Sequence, residues 1–439
     1  MYQVEAWSAL RRARRDTGVG FGWRHVRRNV WALGFTSLFT DVSSEMVGTV
    51  LPVYLVLYLG LTPFQFGIVD GLYHGVTALL RLASGVAVDR GGRCKEIAIA
   101  GYGASAVSRL ALLAAGASWP LIAGVVALDR AAKGARAVPR DVLISLSSRP
   151  DGLATAFGVH RALDSAGAML GPLVALGILA ALPNAFDVVF VASFSVAIVG
   201  LGVLALFVTN AERPAPTRAR VRPLASGASL AAAPLAAALL AAARRILDVP
   251  GLLRLTVAAS LLGAATISDG FLYLLLQRDA GFSPGLFPLL YVGTSGCYLL
   301  LAVPAGWLAD RVGRHRAFLS GYGLLAAAYA ATMPSGLGLP GVAACLLLLG
   351  AHYALTDGVL AAFASGRLPP ARRGSGLALV TTAASLARLL ASVLFGVLWM
   401  RFGAAPAVTV FLFTLVAAMT IAAVLLRGTD REANHDGSD

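Results

Sequence analysis

Charge is what this sequence has least of. Only 13% of its 439 residues are Asp, Glu, Lys or Arg, against 58% hydrophobic, and the mean hydropathy is +0.76. Soluble domains carry about 25% charged residues, so a water-soluble fold of this length could not cover its surface. Cysteine is also scarce: Cys94, Cys297 and Cys345 lie far apart and match neither a disulfide framework nor a metal-ligand spacing. There is no glycine-lysine-serine phosphate loop, which excludes ATP hydrolysis as a driving force, and no H-E-x-x-H, which excludes a membrane zinc protease. No cofactor signature is present. Acidic residues number 22 against 36 basic ones, a formal charge of +14. In a soluble chain that excess would point to nucleic acid. Here the basic residues interrupt apolar runs instead of forming a face, and nucleic-acid binding is set aside.

What remains is apolar runs of membrane-spanning length. Twelve can be drawn, predicting an all-α membrane protein. The first six are 29–59, 64–88, 96–116, 119–138, 153–182 and 185–208. The second six are 252–277, 286–309, 315–334, 341–364, 374–400 and 405–427. The expected layout is a basic tail (1–28), a six-helix half (29–208), a linker (209–250), a second six-helix half (251–427) and a short tail (428–439). The first tail has seven arginines and no apolar core behind them, so it reads as a tail and not as a signal peptide. Odd loops such as Gly60 to Pro63 are short and nearly uncharged. Even loops carry Arg90, Arg93 and Lys95, then Arg136, Arg140 and Arg149, then the arginines after Thr209. By the positive-inside rule both termini and the linker are expected in the cytoplasm of a bacterial-type cell, with the chain in the inner membrane. The uncharged stretch from Leu224 to Ala243 imitates a thirteenth span. Crossing there would flip every later basic loop, so it is read as linker.

The halves repeat. Residues 85–93 read GVAVDRGGR and 306–314 read GWLADRVGR, with Gly85 and Gly306, and Asp89 and Asp310, both 221 positions apart. Duplicated halves are the pattern of transporters whose site lies between them. Two further stretches stand out: Arg130-Ala-Ala-Lys133-Gly134 in span 4 and Gly167-Ala-Met-Leu-Gly171-Pro172 in span 5. Small residues let helices approach closely, and proline favours a bend. Together these stretches resemble the major facilitator superfamily over roughly residues 30–427. That resemblance implies two pseudo-symmetric six-helix halves working by alternating access. It implies cytoplasmic gating by Gly85, Asp89, Arg90, Gly92 and Arg93, and by Gly306, Asp310, Arg311, Gly313 and Arg314. It associates the Arg130 motif with proton coupling and the span 5 motif with antiport, with Gly134, Gly167, Gly171 and Pro172 in helix packing. Cys94 stands where a basic residue is usual, Lys133 where glutamine is common, and Ala175-Leu176 where the closing glycines are expected.

Charges inside spans are costly and mark function. Asp41 and Glu45 share one face of span 1, about 18 Å into the helix. Adjacent carboxylates raise each other's proton affinity, so these two are the expected proton-coupling pair, with bracing by an arginine as the other reading. Candidate cavity residues are His74, Arg109, Asp129, Arg130, Arg161, Asp164, Asp269 and Asp357. Asp129 is also placed to neutralise Arg130 or Arg109, and Asp164 to pair with Arg161; Asp70 and Arg81 read as structural. The expected function is proton-coupled efflux of a small polar or charged organic solute by a monomer in the lipid bilayer. Two alternatives stand beside it: an uptake symporter for an anionic metabolite, and a divalent-cation exporter using Asp41, Glu45 and His74. No enzyme activity and no resident metal are expected.

Overall fold

The computed structural model describes residues 26–91, 94–148, 152–210, 251–333, 336, 338–365 and 373–435. Thirteen α-helices make twelve passes among these residues: α1 (Arg28–Val53), α2 (Pro63–Gly91), α3 (Cys94–Ala114), α4 (Trp119–Leu146), α5 (Leu153–Ala181), α6 (Phe186–Phe207), α7 (Leu252–Ala264), α8 (Asp269–Ala280), α9 (Pro288–Val312), α10 (Arg314–Ala331), α11 (Gly338–Ser365), α12 (Arg373–Phe402) and α13 (Ala404–His435). Helices α7 and α8 form one interrupted pass. The 224–243 stretch lies outside the described residues.

Eight passes are long and apolar enough to cross a membrane on length and composition alone. The others are α1, α2, α4 and α10. Three of these carry charges within the helix, such as Asp41, Asp70 and Asp129, and α10 opens on Arg314 and Arg316. Two helices run eight residues past their expected spans: α13 continues to His435 instead of 427, and α4 to Leu146 instead of stopping near 138. Arg136 and Arg140 are therefore not loop residues: Arg136 is buried with its guanidinium 4.3 Å over the Tyr102 ring, and Arg140 reaches Asp141 and Asp164. Arg130, Lys133, Arg136 and Arg140 recur every three or four residues, which puts them along one side of α4.

Each half uses the same pairings. Helix α1 packs on α5 and α6, α2 on α4, and α3 on α4 and α6; correspondingly α7 packs on α12 and α13, α9 on α11, and α10 on α11 and α13. The halves meet through α2 against α12 and α5 against α9, which are equivalent under the same exchange. Close approach depends on small residues. A Cβ on Gly171 would sit 2.7 Å from the Val42 carbonyl of α1, and one on Gly167 would collide with the Leu38 carbonyl. Pro172 follows inside α5.

Two irregularities interrupt the passes. Helix α1 contains Pro52 and ends in a π-turn at Tyr54–Tyr58, where the missing proline N–H loosens the ladder. The α7–α8 break spans 265–268. Tyr329 of α10 plugs it: its hydroxyl accepts the Ile267 N–H at 2.6 Å and reaches the Ala265 carbonyl at 3.4 Å. Bare backbone at membrane depth requires such a partner.

Candidate functional site

Helix α1 faces α4 and α5 in the first half, and three groups of charges line the contact. The deepest is centred on Asp129. Arg109 of α3 meets its Oδ1 at 2.7 Å, Arg130 meets its Oδ2 through Nε at 2.9 Å, and Ser105 and Ser108 donate to Oδ1 at 2.6 and 3.2 Å. Arg109 also donates to Ser44 of α1 at 3.0 Å, and Arg130 stacks 3.9 Å over the Tyr73 ring. Asp129, Arg109 and Arg130 are all buried. A small cavity beside them, bounded by Gly48, Tyr73, Arg109 and Asp129, has room for about one water.

The second group is looser. Lys133 Nζ lies 3.7 Å from Asp41 and 3.9 Å from Glu45, beyond hydrogen-bond length to either, and its side chain is 31% exposed. The third extends from Asp41. Its carboxyl is within hydrogen-bonding reach of Asp164 on α5. Asp164 is 3.6 Å from Arg140, which donates to Ser37 of α1 at 3.2 Å. Three carboxylates and two cations from α1, α4 and α5 thus form a chain running along the α4 basic face. Arg161 sits one turn before Asp164, half-buried.

The second half has its own group. Asp269 opens α8, where a helix N-terminus favours a carboxylate, and accepts a hydrogen bond from Tyr353 of α11 at 2.6 Å. Arg388 of α12 is within hydrogen-bonding reach of Tyr322, and Asp357, an exposed residue of α11, lies within its electrostatic reach. His74 is 3.9 Å from Asp70 on its own helix, and it does not join Asp41 and Glu45. No metal-holding group of three or more His, Cys, Asp or Glu is present among the described residues. Asp70, two turns into α2, is held by the other half: Ser392 of α12 donates to it at 2.6 Å.

The family model of the Major Facilitator Superfamily matches residues 33–293 and 255–438, the two halves with an overlap. The chain belongs to that superfamily. It is an integral, multi-pass membrane transporter. An uncharacterized MFS-type transporter of Methanocaldococcus jannaschii is 28% identical over 385 residues, covering 86% of this chain and 89% of the relative. Among solved structures, the nucleoside transporter NupG superposes with a TM-score of 0.72 at 13% identity, covering 91% of this chain and 99% of that one. A peptide transporter, POT, gives 0.71 at 14% identity, covering 92% and 94%.

The repeated motif lies at helix ends. Helix α2 continues through Gly91, so Gly85, Asp89 and Arg90 belong to its last turns; their side chains, and Gly92 and Arg93 altogether, lie outside the described residues. In the second copy Asp310 and Arg311 end α9. Asp310 pairs with Arg314 at 3.7 Å, Arg311 stacks on Trp307, and Gly313 turns with φ +100° between two helices. Below Gly306, α9 packs on α11; Gly134 in the first half brings α4 against the Thr77 carbonyl of α2. Lys133, Arg140, Tyr73 and Tyr353 complete the groups around the expected residues. Lys133 carried a signal only as the lysine standing where glutamine is common in the arginine–glycine stretch.

Proposed function

We propose that this transporter couples proton movement to the export of a small polar or charged organic solute across the inner membrane, with both termini in the cytoplasm. The observation that carries the reading is Lys133 held between Asp41 and Glu45. An ion pair at 3.7 to 3.9 Å, partly open to solvent, is exchangeable in a way that the hydrogen-bonded Asp129 group is not. A proton arriving on Asp41 or Glu45 removes one attraction on Lys133. The contact between Asp41 and Asp164 gives that proton a second oxygen to bridge. Releasing Lys133 changes what holds α1 to α4, which biases the half toward one access state. The span 5 resemblance supports export. One fold carries nucleosides in one neighbour and peptides in another, so selectivity belongs to side chains.

The same lysine supports a second reading. Once protonation frees Lys133, an anionic solute can take the place of the carboxylates, and proton and anion then move together. Transport in proteoliposomes distinguishes the two. Asp41→Asn or Glu45→Gln is expected to abolish transport driven by a pH gradient while solute exchange at equal pH persists. Lys133→Gln is expected to spare exchange of a neutral or cationic solute but to remove that of an anion. Full gradient-driven transport by the Asp41/Glu45 double variant would rule out this coupling site.

A further inference from the structure

Where the two halves touch, five polar side chains from four helices converge: Asp70 and His74 of α2, Asp269 of α8, Tyr353 of α11 and Ser392 of α12. Ser392 donates to Asp70 across the interface at 2.6 Å. Tyr353 donates to Asp269 at the same distance. The two carboxylates come from opposite halves and lie close together: a Cβ on Gly270, the residue after Asp269, would be 3.3 Å from Asp70 Oδ1. His74 Nε2 is 3.9 Å from that same oxygen, and Asp269 is within electrostatic reach of His74, Arg388 and Asp70.

The surroundings make this contact a seal. Gly67 lies against the Ser392 carbonyl, where a Cβ would come within 2.7 Å, and Gly71 against that of Leu389. Just beyond, Phe66 of α2 stacks edge-on against Phe271 of α8 at 4.7 Å, and Phe271 against Phe395 at 4.9 Å. All of these belong to the end of the bundle away from the termini, since α2 begins there and α12 finishes there. The polar group sits immediately inside an aromatic plug.

Each carboxylate has one neutral donor. With both ionised, the halves bring two negative charges within electrostatic reach of each other beside a partly exposed His74, and the interface is opposed by repulsion. The groups facing them are His74 and Tyr73 on α2, Tyr291 on α9, Tyr353 on α11 and Arg388 on α12. Arg388 is already drawn toward Tyr322 and Asp357. A proton on His74 sets a positive charge beside Asp70, and a proton on either carboxyl removes one of the opposed charges; either lessens the repulsion between the halves. Opening separates Asp70 from Ser392 and Asp269 and removes that advantage. The proton is thus held more tightly in the closed state, and by linkage protonation favours closure. The closed state gains as pH falls and is lost as pH rises.

We propose that Asp70, His74 and Asp269 form a proton-binding lock between the halves, separate from the Asp41–Glu45–Lys133 group, that holds the end of the bundle away from the termini shut. The lock requires only that the halves rock, and not that Asp41 or Glu45 carries the coupled proton.

Spin-label distances test it. Labels at Ala117→Cys, in the α3–α4 loop, and Leu339→Cys, at the start of α11, lie on opposite halves at that end and are placed in a chain with Cys94, Cys297 and Cys345 changed to alanine. In lipid nanodiscs the short-distance population is expected to rise several-fold from about pH 8 to about pH 5. Asp70→Asn and Asp269→Asn each remove one of the opposed charges and are expected to stay closed across that range. Ser392→Ala removes one hydroxyl only; it is expected to lower the closed fraction at every pH while keeping the pH response. The Asp41→Asn/Glu45→Gln protein is expected to keep pH-dependent closure even where its gradient-driven transport is lost, which separates this lock from the coupling site. A wild-type pH response in both Asp70→Asn and Asp269→Asn, or an unchanged closed fraction in Ser392→Ala, overturns the lock.

Discussion

A carboxylate held by two guanidiniums inside a membrane exchanges neither partner easily. Asp129 receives Arg109, Arg130, Ser105 and Ser108, and Arg109 extends the group to Ser44 on α1, so six side chains fix α1, α3 and α4 against one another. Breaking a buried pair by removing one partner costs about 3–5 kcal/mol, because the remaining charges keep their desolvation penalty. Asp129→Asn is therefore expected to lose that much stability in a detergent unfolding series, whereas Ser108→Ala, which removes one neutral donor, loses about 1 kcal/mol. Equal stability of Asp129→Asn and the parent would take Asp129 out of the scaffold. Lys133 differs in kind, since neither of its partners is within hydrogen-bond distance. In the sequence, Asp41 and Glu45 announce themselves as paired acids on one helix face. Lys133 reads only as a departure from the arginine–glycine pattern, because its meaning depends on which helix stands opposite, and periodicity within α4 does not carry that. Asp70 reads only as structural for the same reason: its partner, Ser392, is 322 positions away.

Hydropathy located nearly every helix, since an apolar run of spanning length has few alternatives in a lipid-embedded chain. Where it failed, charge was hidden by pairing. Helix α4 looks finished near residue 138 because Arg136 and Arg140 lower the local hydropathy, yet Tyr102, Asp141 and Asp164 absorb them and the helix runs on to Leu146. The break between α7 and α8 leaves no such trace. The residues Ala265, Thr266, Ile267 and Ser268 are compatible with a continuous helix, and only the tyrosine of a distant pass makes the gap tolerable. Tyr329→Phe leaves the buried Ile267 N–H without its acceptor, a loss of about 1–3 kcal/mol. The expected result is a lower unfolding midpoint, together with faster hydrogen exchange confined to 265–268. Uniform exchange along α7 and α8 in both proteins would show that the break is held by something other than this hydroxyl.

The matching pairings of the two halves fix their relative orientation: since α1 and α7 are equivalent and six passes separate them, both halves enter from the same side. Which side that is depends on charge. Moving Arg136 and Arg140 into α4 takes two arginines out of the loop tally. The ends near the termini still hold Lys95, Arg314 and Arg316 among the described residues, while 115–118 and 182–185 at the other end carry no charge. The direction of the bias is therefore unchanged, and the cost of translocating those arginines still favours cytoplasmic termini. Single cysteines test this in a chain lacking the native three. Ser226→Cys and Ser438→Cys, in segments outside the described residues, are expected to resist a membrane-impermeant maleimide in intact cells and to react once the membrane is permeabilised. Leu339→Cys, 75% exposed at the start of α11, is expected to react in intact cells. Reaction of Ser438→Cys from outside, with Ser226→Cys and Leu339→Cys both protected, would mean that the 224–243 stretch crosses the membrane and flips the second half, which the common orientation of the two halves forbids. Reaction of both Ser226→Cys and Ser438→Cys with protection of Leu339→Cys would invert the whole molecule, and with it the proposed direction of export and of proton entry.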